Sequence, residues 1–283
     1  MSSINKVVVL GMGVLGSQIA FQSAFKGKEV TSYDISDEAV AAGRERFEVL
    51  AKRYAADLPG VGDPQAALTA ITATSDLAEA VRGADLVIEA VPEKIEIKQE
   101  TYRKLAEVAD PGTIFATNSS TLLPSDIAPA TGRADKFLAL HFANEIWLRN
   151  TAEVMPGPDT DPAYLTELAE FAEEIGMVPI VLTKEKAGYV LNSLLVPFLD
   201  AAGELWAGGY ADVETIDKTW RLATGAPVGP FQIYDVVGLT TAYNIASTNP
   251  DPGHQAFAAK IKADFIDQGK LGIATGEGFY KYG

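Results

Sequence analysis

The stretch Val7-Val-Val-Leu-Gly-Met-Gly-Val-Leu-Gly16 decides the fold of this chain. Its four apolar residues predict a buried strand, and the amphipathic run Ser17–Lys26 predicts a helix directly after the glycines. Each glycine of this G-x-G-x-x-G pattern has a physical task. Gly11 permits the tight turn, Gly13 lets the backbone approach a pyrophosphate, and Gly16 lets the helix pack against the strand. The stretch is therefore typical of a dinucleotide site.

A second short apolar segment ends in Asp34, eighteen residues after the last of these glycines. An acid at this distance can accept hydrogen bonds from the adenine ribose, and it would repel a 2′-phosphate. The helix N-terminus offers the backbone N–H groups of Val14 and Leu15 to the phosphates. These features together predict bound NAD rather than NADP. A glycine turn without any ligand is the alternative.

The composition of the 283 residues narrows the class of protein. The length suits two domains, and 47% hydrophobic with 22% charged residues is ordinary for a globular enzyme. A net charge of −15 argues against a nucleic-acid partner. We find no apolar run of about 20 residues, so we expect no membrane span. The chain has no cysteine and its start leaves no room for a signal peptide, which fits a cytoplasmic protein, and no metal site is predicted.

Strand and helix patterns alternate through the first part of the chain and give way to helices alone. We predict an α/β domain over residues 1–184, with a parallel sheet covered on both faces, and an all-α domain over residues 185–283. The predicted strands are Val7–Leu10, Glu29–Tyr33, Ile71–Thr74, Asp85–Ala90, Thr113–Thr117, Phe137–Leu140 and Val178–Leu182. The predicted C-terminal helices are Tyr189–Trp206, Val213–Ala223, Val237–Ser247 and His254–Gln268.

Only two histidines could act as an imidazole base. His254 follows a Pro-Gly turn and is expected to be an exposed surface residue. His141 follows the apolar strand, at the sheet edge where a parallel sheet binds its ligand. A base for an alcohol also needs a carboxylate that orients the ring, and a short strand returning beside His141 would bring Glu153 to it. A structural histidine and an edge-strand surface acid are the alternatives.

Other polar side chains fall at the same edge of the predicted sheet. Ser119 and Ser120 follow one strand, and Asn144 lies shortly after another. Their hydroxyl and amide groups could bind a substrate oxygen, or could merely cap helices and close turns. No G-x-S-x-G pattern surrounds either serine, so nothing indicates a serine nucleophile.

Ten segments of the chain resemble the L-3-hydroxyacyl-CoA dehydrogenase family. The resemblance covers nearly the whole chain, and the order and spacing of the segments are more specific than the dinucleotide motif alone. They are Gly11–Gly16, Asp34, Glu89–Glu93, Asn118–Ser120, His141–Asn144, Glu153, Gly188–Asn192, Gly225–Pro230, Asp235–Leu239 and Gly276–Tyr280. The resemblance implies a Rossmann-type, doubly wound NAD-binding domain, followed by an all-α domain through which the chain forms a homodimer.

The resemblance also implies roles for individual residues. His141 would be the general base that takes the proton of the 3-hydroxyl group, while hydride leaves C3 for the nicotinamide. Glu153 would pair with His141 and fix its ring. Ser120 and Asn192 would hold the reacting oxygen and the neighbouring carbonyl group.

Further residues match positions at the cofactor. Asn144 and Ser119 would line the nicotinamide side, and Asn118, Glu93 and Lys98 would complete the cofactor site. Lys98 has an alternative interpretation as a solvated charge on the helix that follows Glu93.

The chain departs from the family pattern in three places. Ala143 replaces an aromatic residue, and Glu145-Ile-Trp-Leu-Arg149 replaces a proline and its apolar followers. The lysine-rich stretch that contacts CoA is reduced to Lys52-Arg53-Tyr54, and Ser193 stands where the family has arginine.

Three functions therefore stay open at this point. The first is NAD-dependent oxidation of a short 3-hydroxyacyl-CoA substrate, and its reverse. The second keeps this chemistry but acts on a 3-hydroxy acid without CoA, such as carnitine or a sugar acid, whose carboxylate Arg149 could bind. The third is a non-catalytic NAD-binding protein on the same fold.

Overall fold

The computed structural model describes residues 1–282, which form two compact units that divide between Val190 and Leu191. The first unit is an α/β sheet structure and the second is helical, as the fold class predicted. A domain boundary at residue 184 stays a prediction. Among the helices of residues 1–282, none combines the length and the hydrophobicity that a bilayer crossing requires.

The first unit holds eight strands and seven α-helices among the residues described. The strands are β1 (Lys6–Leu10), β2 (Glu29–Tyr33), β3 (Thr72–Thr74), β4 (Leu86–Glu89), β5 (Ile114–Thr117), β6 (Phe137–Phe142), β7 (Thr151–Pro156) and β8 (Val178–Val181). The helices are α1 (Val14–Phe25), α2 (Asp37–Asp57), α3 (Pro64–Ala70), α4 (Leu77–Val81), α5 (Ile95–Val108), α6 (Pro124–Ile127) and α7 (Pro162–Glu174).

The strands form one sheet in the order β3-β2-β1-β4-β5-β6-β7-β8. Neighbouring strands are parallel except for β6 and β7, which run antiparallel. Burial on both faces explains the continuous apolar runs of the central strands. Side chains of β1 alternate accordingly, with Val7 and Val9 in one buried cluster and Val8 and Leu10 in the other.

The second unit contains five helices in its described part. They are α8 (Leu191–Ala207), α9 (Val213–Thr224), α10 (Pro230–Val237), α11 (Leu239–Thr248) and α12 (Pro252–Asp264). The predicted C-terminal helices do not include α10, which begins at the end of the Gly/Pro-rich segment Gly225–Pro230. Pro230 occupies the first turn of α10, where its missing N–H costs nothing. Gly238, at φ 91°, then separates α10 from α11.

Candidate active site

The glycine turn after β1 is built as the motif predicts. Gly11 has φ 97°, and a Cβ atom there would lie 2.7 Å from the carbonyl oxygen of Ala90. A Cβ atom on Gly16 would lie 1.9 Å from the carbonyl oxygen of Gly11, so neither position admits a side chain. A Cβ atom on Gly13 would meet no protein atom within 4 Å, which leaves open space beside the start of α1.

The N-terminus of α1 fits a pyrophosphate. Gly13 is the N-cap residue of α1 and supplies no side-chain cap. The first-turn N–H groups, including those of Val14 and Leu15, therefore face the open space without a side-chain acceptor, and the helix dipole favours an anion there.

Asp34 closes this turn from the end of β2. Its Oδ2 accepts a hydrogen bond from Met12 N at 2.7 Å, and its Oδ1 accepts one from Ile35 N at 2.8 Å. The carboxylate is thereby held beside the glycine turn and stays partly exposed. The turn, the open helix N-terminus and this acid together fit NAD.

Lys98 is buried rather than solvated, so its interpretation as a surface charge is wrong. Its side chain is 1% exposed, and its Nζ lies 2.6 Å from Glu89 Oε1 and 3.2 Å from Glu93 Oε2. Thr117 Oγ1 donates a further hydrogen bond to Glu89 Oε2 at 2.8 Å. Burial raises the pKa of Glu89 above its ordinary value, although the charge and hydrogen bond of Lys98 oppose this shift.

Glu93 fixes the turn that carries the two serines. Its Oε1 accepts hydrogen bonds from Ser119 Oγ (2.5 Å), Ser120 N (3.0 Å) and Thr121 N (2.9 Å). Burial would raise the pKa of Glu93, but the bond from Ser119, the charge of Lys98 and the bonds from Thr121 lower it to about 2. Glu93 is therefore an anion that positions Ser120.

The structure brings His141, Glu153 and Ser120 together. His141 and Glu153 lie directly opposite each other in the antiparallel β6–β7 register. Their side chains are therefore neighbours on the same face of the sheet. His141 Nδ1 lies 3.0 Å from Glu153 Oε2, and His141 Nε2 lies 3.1 Å from Ser120 Oγ. Glu153 Oε1 also accepts a hydrogen bond from Val190 N at 2.9 Å.

Tyr189 completes this cluster, and the sequence analysis gave it no role. Its ring stacks on the imidazole of His141 with centroids 4.4 Å apart and planes 11° apart. Its hydroxyl donates a 2.7 Å hydrogen bond to the carbonyl oxygen of Ser119. Burial raises the pKa of Tyr189, so the phenol stays neutral. The sequence signal was an aromatic residue directly after Gly188, but only the structure shows its φ of 52° and its stacking partner.

The remaining predicted site residues lie in different environments. Asn118 is buried, and its Oδ1 accepts a hydrogen bond from Phe142 N at 3.0 Å. The hydroxyl of Ser119 is engaged by Glu93 and by Leu122 N. Asn144 is exposed in the loop after β6. Asn192 is the second residue of α8, in the other compact unit, and its part in a site stays a prediction.

The loop after Asn144 engages the end of α2. Arg53 Nη2 lies 2.7 Å from Glu145 Oε1, and the Arg53 guanidinium lies 4.7 Å from the centroid of the Trp147 ring. Arg149 Nη2 lies 3.5 Å from Glu145 Oε2. Tyr54 is buried, and its hydroxyl bonds to Gln22. Arg53, Arg149 and Tyr54 thus already have protein partners.

His254 is not the exposed residue that the turn before it suggested. Its side chain is 13% exposed and lies against α8, with Nε2 3.0 Å from Asp200 Oδ2. Burial lowers the pKa of His254, but the hydrogen bond to Asp200 and the charges of Asp200 and Asp251 raise it above its ordinary value overall.

Two family models together match nearly the whole chain. Residues 6–186 match the family model "3-hydroxyacyl-CoA dehydrogenase, NAD binding domain", and residues 188–282 match "3-hydroxyacyl-CoA dehydrogenase, C-terminal domain". The chain is 36% identical to the mitochondrial hydroxyacyl-coenzyme A dehydrogenase of Sus scrofa, covering 99% of this chain and 91% of that protein. It is 33% identical to a 3-hydroxybutyryl-CoA dehydrogenase of Mycobacterium tuberculosis, covering 99% of each.

A solved structure is more similar still. The chain is 62% identical to a diketoreductase described for "substrate-directed dual catalysis of dicarbonyl compounds", with a TM-score of 0.97 and complete coverage of both chains.

Proposed function

Because this chain belongs to the 3-hydroxyacyl-CoA dehydrogenase family and uses NAD, we propose that it interconverts a short 3-hydroxyacyl-CoA and its 3-keto form, with His141 as general base. The observation that carries the proposal is the chain of contacts from Glu153 through His141 to Ser120. An NAD-binding protein without catalysis has no need of this arrangement.

The protonation of His141 follows from its partners. An ionised carboxylate only accepts hydrogen bonds, so Glu153 requires a proton on Nδ1. The lone pair of neutral His141 then lies on Nε2, on the side of Ser120. Glu153 also stabilises the imidazolium that forms when Nε2 takes up a proton.

Each residue of the site then has a separate role in the reaction. NAD, when bound, would supply the hydride acceptor for the carbinol carbon, and NADH would supply the hydride in the reverse direction. His141 Nε2 removes the hydroxyl proton, and Ser120 Oγ donates a hydrogen bond to the same oxygen. Tyr189 covers one face of the imidazole and keeps water from it. Asn192 would hold the neighbouring carbonyl group.

The same proposal assigns residues to the cofactor. The N–H groups of Val14 and Leu15 would bind the pyrophosphate, and Asp34 would bind the adenine ribose. Asn144 would lie on the nicotinamide side. Asn118, Ser119, Glu93 and Lys98 would act mainly by shaping the strand ends beside the cofactor, because their polar groups bond to protein atoms.

A second candidate substrate is a dicarbonyl compound without CoA. The 62% identical diketoreductase favours it. So does the loop of residues 145–149, because Glu145 and Trp147 engage Arg53, a cation that would otherwise be available to the phosphates of CoA. Arg149 pairs with Glu145, so a free carboxylate of carnitine or a sugar acid would have to compete for it.

We expect acetoacetyl-CoA to be reduced with a kcat/KM at least about tenfold above those of pentane-2,4-dione, free acetoacetate and dehydrocarnitine. The assay follows NADH consumption, and a parallel series with NADPH should be much slower because Asp34 repels the 2′-phosphate. Turnover of the diketone alone would establish the dicarbonyl substrate, and turnover of the free acids alone would establish a 3-hydroxy acid substrate without CoA. The N-acetylcysteamine thioester of acetoacetate is the matched control, since it keeps the thioester but lacks the nucleotide and most of the pantothenate arm of CoA.

We also propose a cytoplasmic homodimer formed through the helical domain. Leu194, Tyr210 and Leu222 of the second unit are 69%, 80% and 76% exposed, which leaves apolar side chains for a partner. Light scattering at micromolar concentration should give about 60 kDa, twice the chain mass of 30.1 kDa. A mass near 30 kDa would contradict the dimer.

A further inference from the structure

Four side chains of the second unit form a cluster that the dehydrogenase reaction does not use. Asp200 and Glu204 lie one turn apart on α8. Asp251 is the N-cap residue of α12, and His254 lies in the first turn of that helix. One ligand atom each from Glu204, Asp251 and His254 lies within 4.8 Å of the other two.

Asp200 orients the imidazole of His254. His254 Nε2 lies 3.0 Å from Asp200 Oδ2, and the carboxylate can only accept, so Nε2 carries a proton that it donates to Asp200. The opposite nitrogen, Nδ1, therefore carries the lone pair of the neutral ring. Metal-binding histidines are commonly held in this way, with the other ring nitrogen donating to a carboxylate.

The lone pair of Nδ1 faces two more carboxylates. Nδ1 is buried from solvent and makes no hydrogen bond. It lies 3.5 Å from Asp251 Oδ1 and 3.7 Å from Glu204 Oε1. In the neutral ring this lone pair is repelled by the two anions unless a proton or a metal ion lies between them.

The distances decide which cation fits. An N–H···O hydrogen bond spans 2.7–3.2 Å, so a proton on Nδ1 reaches neither carboxylate well. In a tetrahedral zinc site with bonds of about 2.0–2.2 Å, neighbouring ligand atoms lie about 3.3–3.6 Å apart. The separations around His254 Nδ1 are close to this second value.

Charge and shape support the same interpretation. Among residues 1–282, no lysine or arginine forms an ion pair with any of the three carboxylates of the cluster, so their charge is uncompensated apart from His254. A Cβ atom on Gly253 would lie 2.9 Å from Glu204 Cγ, so the glycine leaves the space that Glu204 occupies. Glu204 and Asp251 are half exposed, which gives an ion access from solvent.

We propose that Glu204, Asp251 and His254 bind a divalent cation of the zinc type, with Asp200 as the outer residue that orients His254. One nitrogen and two carboxylate oxygens form a ligand set that zinc accepts, and water completes the coordination. The ion would join the C-terminal part of α8 to the first turn of α12. The site is independent of the hydride-transfer reaction.

Calorimetric titration of the metal-free protein with ZnCl₂ at pH 8 tests the proposal. We expect one saturable site per chain, weakened at least about tenfold by His254→Gln and by Glu204→Gln. Asp200→Asn should weaken binding about 10–100-fold, as loss of an outer carboxylate does elsewhere. Cobalt(II) should give the visible d–d absorption of a tetrahedral site, and His254→Gln should abolish that absorption.

Matched variants separate this site from general metal binding by an acidic protein. Glu214→Gln removes an exposed acid of α9 outside the cluster and should leave the Kd for Zn²⁺ unchanged. Circular dichroism identifies any variant that fails to fold. If His254→Gln does not fold, Glu204→Gln, at a half-exposed position, still tests the proposal. Absence of saturable binding, or equal Zn²⁺ affinity in the wild type and in Glu204→Gln, would overturn the proposal.

Discussion

Replacing His141 with glutamine is expected to lower kcat at least about 10³-fold, while the Kd for NADH changes less than about twofold. General acid–base catalysis by a positioned side chain contributes typically 10²–10⁴-fold, and glutamine cannot take up the hydroxyl proton at Nε2. NADH binding should persist because the glycine turn and Asp34 do not depend on this side chain. The measurements are steady-state kinetics with acetoacetyl-CoA and fluorescence titration with NADH.

Glu153→Gln separates proton transfer from simple packing. It preserves the size of the side chain and an acceptor oxygen, but it no longer stabilises the imidazolium of His141. We expect kcat to fall about 10²-fold, whereas Glu170→Gln, at a half-exposed acid on α7 that pairs with the chain N-terminus, should keep wild-type kcat. Parallel losses of kcat, NADH affinity and thermal stability in His141→Gln would instead identify a structural histidine.

Replacing Lys98 with methionine is expected to lower the free energy of unfolding by about 3–5 kcal/mol, the range for loss of one partner of a buried ion pair. Methionine fills much of the same volume, but the buried Glu89 carboxyl would lose the ammonium 2.6 Å away that offsets the cost of its burial. Glu93 would lose a partner as well, which should loosen the turn that holds Ser120. Urea unfolding followed by circular dichroism measures the loss.

Two further variants show whether the unpaired buried charge causes the loss of stability. Lys104→Met removes an exposed lysine of the same helix, which pairs with Glu100 at 3.4 Å, and should cost less than about 1 kcal/mol. The double variant Glu89→Gln/Lys98→Met removes both charges and should recover part of the stability. The account would be contradicted if Lys98→Met lowered the free energy of unfolding no more than Lys104→Met does.

Sequence reasoning succeeded where the pattern is local. The strand, glycine turn and helix of residues 7–25 form one contiguous unit, and the predicted strand Glu29–Tyr33 ends beside Asp34, which bonds back to this turn. His141 and Glu153 are only twelve residues apart, so a returning strand was the simplest way to join them. The antiparallel β6–β7 register confirms that geometry, although not the chemical roles.

Sequence reasoning gave the wrong environment where a residue's burial and charge pairing depend on partners distant in the chain. Lys98 looks like one more charge on an amphipathic helix, and only the packing of α5 on the sheet places it against Glu89. His254 looks exposed because its turn is polar, but α8, some fifty residues earlier, covers it. The pairing of Arg53 with Glu145 spans 92 residues, and no local pattern encodes it.

The central claim is that hydride passes between the nicotinamide and the carbon atom that bears the reacting oxygen. Reduction of a 3-keto substrate with NADH deuterated at both C4 positions tests it most directly, by mass spectrometry and NMR of the product. We predict one deuterium per product molecule, located at the carbon that bears the new hydroxyl group, whether the preferred substrate is the thioester or the diketone. A product without deuterium, or with deuterium at a carbon other than the reduced carbonyl carbon, would contradict the account.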